Sequence, residues 1–173
     1  MNSQTRALSL TALSVSGAVV VLYLGSFLPT MRISMVAIAA LFTVVCVIEG
    51  GFRYGMLGFV AATILGFLIV PDRTLMFLYS TLFAPYSLVK SVAERQKSVI
   101  FAWIIKLLAF FIVLALYLTI LNELILAVIV PDGFGVPLIA GVGLVVFIVY
   151  DIGLSKLIGF YMARIYKQRE SRL

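Results

Sequence analysis

Long apolar runs fill almost the whole chain, and the charged residues are confined to the short breaks between them. That pattern leaves one solvent in which such a chain can fold. Hydrophobic residues make up 64% of the sequence and charged residues 12%, and the mean hydropathy is +1.21. A water-soluble domain with this composition would have too little polar surface to cover its core. The expectation is an all-α integral membrane protein lying almost wholly within the bilayer.

The chain has 173 residues, which predicts one transmembrane domain. A spanning helix needs about 20 apolar residues. Six spans are predicted, over residues 8–28, 33–48, 54–70, 75–89, 99–121 and 136–157, with a basic tail over 158–173. Pro29 closes the first, Glu49-Gly50-Gly51 breaks the second from the third, and Pro71-Asp72 closes the third. Arg6 ahead of the first run resembles a signal-peptide start. The run is too long for an h-region, however, and has no small-x-small exit before Pro29, so it is read as a retained span.

Basic residues set the orientation. One set of breaks carries Arg6, Arg53, Lys90, Arg95, Lys97, Arg164, Lys167, Arg169 and Arg172; the other carries only Arg32 and Arg73. The first set is predicted to be cytoplasmic, which puts both termini inside a multi-pass protein of the cell membrane. The net charge of +6 is therefore a topology signal, and no nucleic-acid partner is expected.

Histidine is absent and Cys46 is the single cysteine. This removes the usual zinc, haem and Cys-His or Ser-His chemistry. No glycine-rich loop ending in Lys-Ser or Lys-Thr marks an ATP site. No acids, metal ligands or activated nucleophile gather at one depth, so neither a metal, a cofactor nor a catalytic residue is predicted, and the protein is not expected to be an enzyme.

Three groups of residues stand out. Helices in lipid associate through small residues, and the third span carries Gly58, Ala62 and Gly66 at intervals of four. The first span places Ala12 and Ser16 on one face and Ser14 and Ala18 on the next. These four either pack inside the protein or dock it onto another membrane subunit. Lys106 and Asp151 lie about two turns from the cytoplasmic ends of consecutive antiparallel spans and are predicted to form an intramembrane ion pair. Its role is either to hold helix register or to couple an ion. The outer ends gather Arg32, Asp72, Arg73, Asn122 and Glu123, with Tyr79 and Thr81 just below. They form either a small-molecule pocket or an ordinary interfacial belt. Pro85 should kink the fourth span.

The small first span (Ala7 to Ala18), the break Glu49-Gly50-Gly51-Phe52-Arg53-Tyr54-Gly55, and the polar connector after Tyr86-Ser87-Leu88-Val89-Lys90 together resemble the substrate-binding (S) components of energy-coupling factor (ECF) vitamin transporters. The resemblance implies six spans with both ends inside. It also implies capture of a vitamin or similar micronutrient at the outer face by Arg32, Asp72, Arg73, Tyr79, Thr81, Asn122 and Glu123. Docking through Ala12, Ser14, Ser16 and Ala18 would engage a transmembrane coupling subunit served by cytoplasmic ATPases. No ligand-specific signature is present, and the alanine-x-x-x-alanine docking motif is degenerate. The competing expectation is a non-catalytic scaffold in a membrane complex.

Overall fold

The structure is a computed structural model that describes residues 3–93, 99–120 and 136–161. Among the described residues it is helical, with no strand. The helices are α1 (Ser3–Gly25), α2 (Arg32–Gly50), α3 (Phe52–Ile69), α4 (Arg73–Leu78), α5 (Ala84–Ala93), α6 (Val99–Ile120) and α7 (Val136–Tyr161). A 3-10 turn, Pro29–Met31, leads into α2, and a π-helical turn, Tyr79–Phe83, joins α4 to α5. Five stretches are long and apolar enough to cross a membrane: Gln4–Gly25, Pro29–Gly50, Phe52–Ile69, Arg73–Ala93 and Gly143–Tyr161. Within α6 the apolar stretch Ile100–Leu116 is shorter.

The chain divides into two compact units, Met1–Ala109 and Phe110–Leu173. In the first, α1 packs on α2 and α3, and α2 also packs on α3 and α5. Small residues allow this closeness, because lipid tails offer helices no hydrophobic drive to associate. Ala18, Ala39, Ala40 and Ala62 are buried. A Cβ on Gly17 would lie 2.6 Å from Cε1 of Phe42. On α3 the stripe Gly55, Gly58, Ala62 and Gly66 is buried throughout. Gly58 sits where three helices meet, with Cys46 of α2 and Thr11 of α1 beside it. In the second unit the rings of Phe110 and Phe147 stack 5.0 Å apart, over Gly143.

Several boundaries differ from the sequence expectation, each for a local reason. The first helix stops at Gly25, three residues before Leu28, and the chain turns through Ser26–Leu28 before Pro29 opens the 3-10 turn. Glu49 and Gly50 belong to α2, so Gly51 alone breaks α2 from α3. Its φ of +81° is open to glycine without the steric cost a Cβ brings. Its N–H donates to Val47 O at 2.9 Å, closing the helix end. Helix α5 continues to Ala93, so Lys90 lies in a helix rather than in a connector and is buried, 1% exposed.

Pro85 does not act as a simple kink. Its ring would collide with the carbonyl four residues back and leave that carbonyl without a donor. The turn before it is widened instead, so that the Ala84 N–H reaches Tyr79 O, five residues back. A single such turn, with one residue inserted into the ladder, is the usual form of π-helix within an α-helix.

Candidate functional site

Where α2 and α4 begin, three of the predicted outer residues come together. Asp72 is the N-cap of α4, its Oδ1 accepting from Leu75 N at 3.1 Å. This satisfies one of the open amides of the first turn. Its other oxygen, Oδ2, lies 3.1 Å from Arg32 Nε. The adjacent Arg73 folds its guanidinium back to donate to the carbonyl of Phe67, at the end of α3. The two arginines and one aspartate thus tie the starts of α2 and α4 and the end of α3 into one knot. Arg32 is the most open of the pair, its side chain 42% exposed against 13% for Asp72.

Tyr79 and Thr81 do not join that knot. Tyr79 is 0% exposed, and its hydroxyl lies 3.3 Å from Thr43 Oγ1 of α2. Its expected place in an outer ligand site is corrected to one in the interior, because Thr43 gives the phenol a buried partner. Thr81 Oγ1 donates to Phe77 O of its own helix at 2.6 Å. Asn122 and Glu123 lie outside the described residues.

The small residues of α1 also divide. Ser14 and Ala18 are buried, on the side of α1 where Thr11 lies beside Gly58 and Cys46. Their expected docking role is corrected on that ground, because they are already used within the unit. Ala12 and Ser16 face outward, and the Ser16 hydroxyl donates to Ala12 O at 3.0 Å. The two small residues share the exposed side of α1 with Leu8 and Val20, and the Ser16 hydroxyl is committed to the helix backbone.

Lys106 and Asp151 are both buried, 6% and 3% exposed. They belong to different compact units. The Lys106 ammonium sits 5.5 Å from the centre of the Trp103 ring, within cation–π range. Asp151 lies on α7, where its backbone carbonyl accepts from Ser155 Oγ at 2.9 Å. No group of three or more potential metal ligands occurs among the described residues.

Sequence reasoning missed Thr43, Thr63 and the π-helical turn. Pro85 with Ser80 and Thr81 upstream was the available signal. Comparison with known protein families, with characterised proteins and with solved structures gives no match for this chain.

Proposed function

We propose that this chain is the substrate-capture subunit of an ECF-type importer. In this reading it has six spans, both termini on the cytoplasmic side of the cell membrane, and no catalytic activity of its own. The stretch Ile100–Leu116 would be the core of a shorter fifth span. The observation that carries the reading is the outward pair Ala12 and Ser16 on a helix whose opposite face is already packed. A small, backbone-satisfied patch of this kind lets a second transmembrane helix approach closely. The half-open Arg32 guanidinium beside Asp72 supplies a polar group at the opposite membrane face from the basic connectors, where a small molecule would enter. Its partners would be a transmembrane coupling subunit and cytoplasmic ATPases.

A second reading, a membrane scaffold without a ligand, draws on a specific observation. Asp72 Oδ1 and the Arg73 guanidinium are hydrogen-bonded inside the protein, and Asp72 Oδ2 is paired with Arg32 at 3.1 Å. An outer end whose charges are paired internally has less need of a ligand.

The test is affinity purification of the full chain from its host membrane in mild detergent, with mass spectrometry of proteins and small molecules. Co-purifying coupling and ATPase subunits, or a bound micronutrient, support the importer. Recovery of a different membrane machinery with neither of these supports the scaffold. Replacing Ala12 and Ser16 by leucine should remove the coupling subunit while ligand binding remains.

A further inference from the structure

The stretch Arg73–Ala93 runs antiparallel to α3 in a definite register. Gly66 lies beneath Met76, and Gly55 beneath Leu88, while the rings of Phe67 and Phe77 meet edge to face at 5.5 Å. Residue numbers rise along one helix as they fall along the other, so that the two numbers of each pair add to nearly the same total in all three contacts. That register sets Thr63 opposite Ser80, and α3 does pack against the π-helical turn.

Both residues are short of hydrogen-bond partners. Thr63 Oγ1 is buried and has none. The Ser80 carbonyl would take its proton from residue 84 in an α-helix or residue 85 in a π-helix. The Ala84 N–H goes to Tyr79 O, and residue 85 is proline, which has no amide proton. Beside that carbonyl, Ser80 Oγ and Thr81 Oγ1 both donate to Phe77 O, at 3.3 and 2.6 Å. Their protons are thereby committed, and what these hydroxyls offer their surroundings is lone pairs.

The result is a set of neutral oxygens within a membrane span, rich in acceptors. Such a set repels anions. Hard cations prefer oxygen ligands, and broken transmembrane helices coordinate sodium through their unpaired carbonyls. A divalent ion would lack the carboxylates needed to offset its desolvation. We propose that the notch between α3 and the π-helical turn binds a monovalent cation of sodium size, through the Ser80 carbonyl and the hydroxyl oxygens of Thr63 and Ser80. This site is independent of the importer reading, since it uses neither the outer knot nor the face of α1.

The experiment is thermal unfolding of the full chain in lipid nanodiscs, in sodium, potassium or choline chloride at one ionic strength. A bound ion raises Tm with the logarithm of its concentration above Kd. Sodium should raise Tm in this way, potassium less, and choline not at all. Thr63→Val keeps the side-chain shape and removes an unpartnered hydroxyl, so Tm in choline should hold. The sodium concentration for half the effect should rise roughly tenfold or more, the scale on which groups supporting a metal site count. Pro85→Ala returns an amide donor to the turn and should weaken the sodium response in the same way, with Tm in choline at or above that of the parent. Equal Tm values in the three salts would overturn the assignment. So would a sodium response that survives either substitution, and an ordered water bridging the two oxygens would then be the better account.

Discussion

Gly55 and Gly66 stand on the same stripe of α3, and the structure predicts opposite outcomes when each becomes alanine. At Gly55 a new Cβ would run into Cγ2 of Val47, and it would also lie 3.3 Å from Val47 Cβ and 3.1 Å from Leu88 Cδ2. Rotating Val47 moves Cγ2 but leaves Cβ in place, and a valine in a helix has in any case one strongly preferred rotamer. Helices α2 and α3 must therefore separate. Overpacking of this kind costs about 1–3 kcal/mol, and replacing a helical glycine returns about 1 kcal/mol. The net loss for Gly55→Ala is ~1–2 kcal/mol, taking the upper half of the overpacking range because backbone-fixed atoms are involved. At Gly66 the new Cβ meets the Met76 tip, with Sδ at 2.8 Å, and then nothing closer than Leu22 Cδ1 at 4.0 Å. A methionine tip has three bonds to turn about, so the two contributions nearly cancel and Gly66→Ala should fall within ~0.5 kcal/mol of the parent. Reversible unfolding in SDS–lipid mixed micelles, followed by far-UV circular dichroism, measures both. Adding Val47→Ala should recover most of the Gly55→Ala loss. Equal losses at the two glycines, or additive losses for Gly55 and Val47, would refute the reasoning.

The buried Thr43–Tyr79 hydrogen bond links α2 to the π-helical turn. A cycle of Thr43→Val and Tyr79→Phe should show a coupling of about 0.6 kcal/mol, the average for interhelical bonds in membranes; a coupling near zero in the same unfolding assay would deny the bond. Asp72→Ala should lose about 1 kcal/mol as the cap of α4 disappears, whereas Asp72→Asn keeps the cap and should lose clearly less. Nearly equal losses would make the Arg32 pairing, which both variants remove, the larger effect. Ser14→Leu and Ala18→Leu should each lower the yield of folded protein on size-exclusion chromatography, because both sites are closed. Ala12→Leu and Ser16→Leu should leave the elution profile unchanged.

A helical, membrane-compatible chain was legible from the sequence because a bilayer imposes one rule over some 20 residues at a time, and five stretches are long and apolar enough to cross a membrane. The stripe of Gly58, Ala62 and Gly66 read from spacing is buried on α3. What the sequence did not disclose was decided within a single turn. Pro85 marks the fourth span, but the ladder defect it causes is relieved upstream, at Tyr79–Phe83, where Ser80 and Thr81 signal polarity without saying which turn widens. Lys90 looked like the first residue of a polar connector. A helix end, though, is set by its last hydrogen bonds and packing as well as by polarity, and α5 carries Lys90 inside.

The candidate sites follow the same division between what periodicity can and cannot decide. Arg32, Asp72 and Arg73 came together as expected because prolines 29 and 71 force turns close to each of them, and turns are where charged side chains leave the membrane. Tyr79 was assigned outward on a statistical preference of tyrosine for the interface. That preference describes a phenol whose best partner is water or a headgroup, and Thr43 supplies a partner in the interior instead. On α1 small residues occur on every face, so composition alone is silent about which face is inward. Three-dimensional neighbours decide it: Cys46 and Gly58 close over the side that holds Thr11 and Ser14, and the remaining small pair is left facing outward. A small residue already in contact with its own bundle cannot also be a docking residue. The surface available to another helix is therefore the part of the stripe that internal packing leaves unused, and on α1 that part is Ala12 and Ser16.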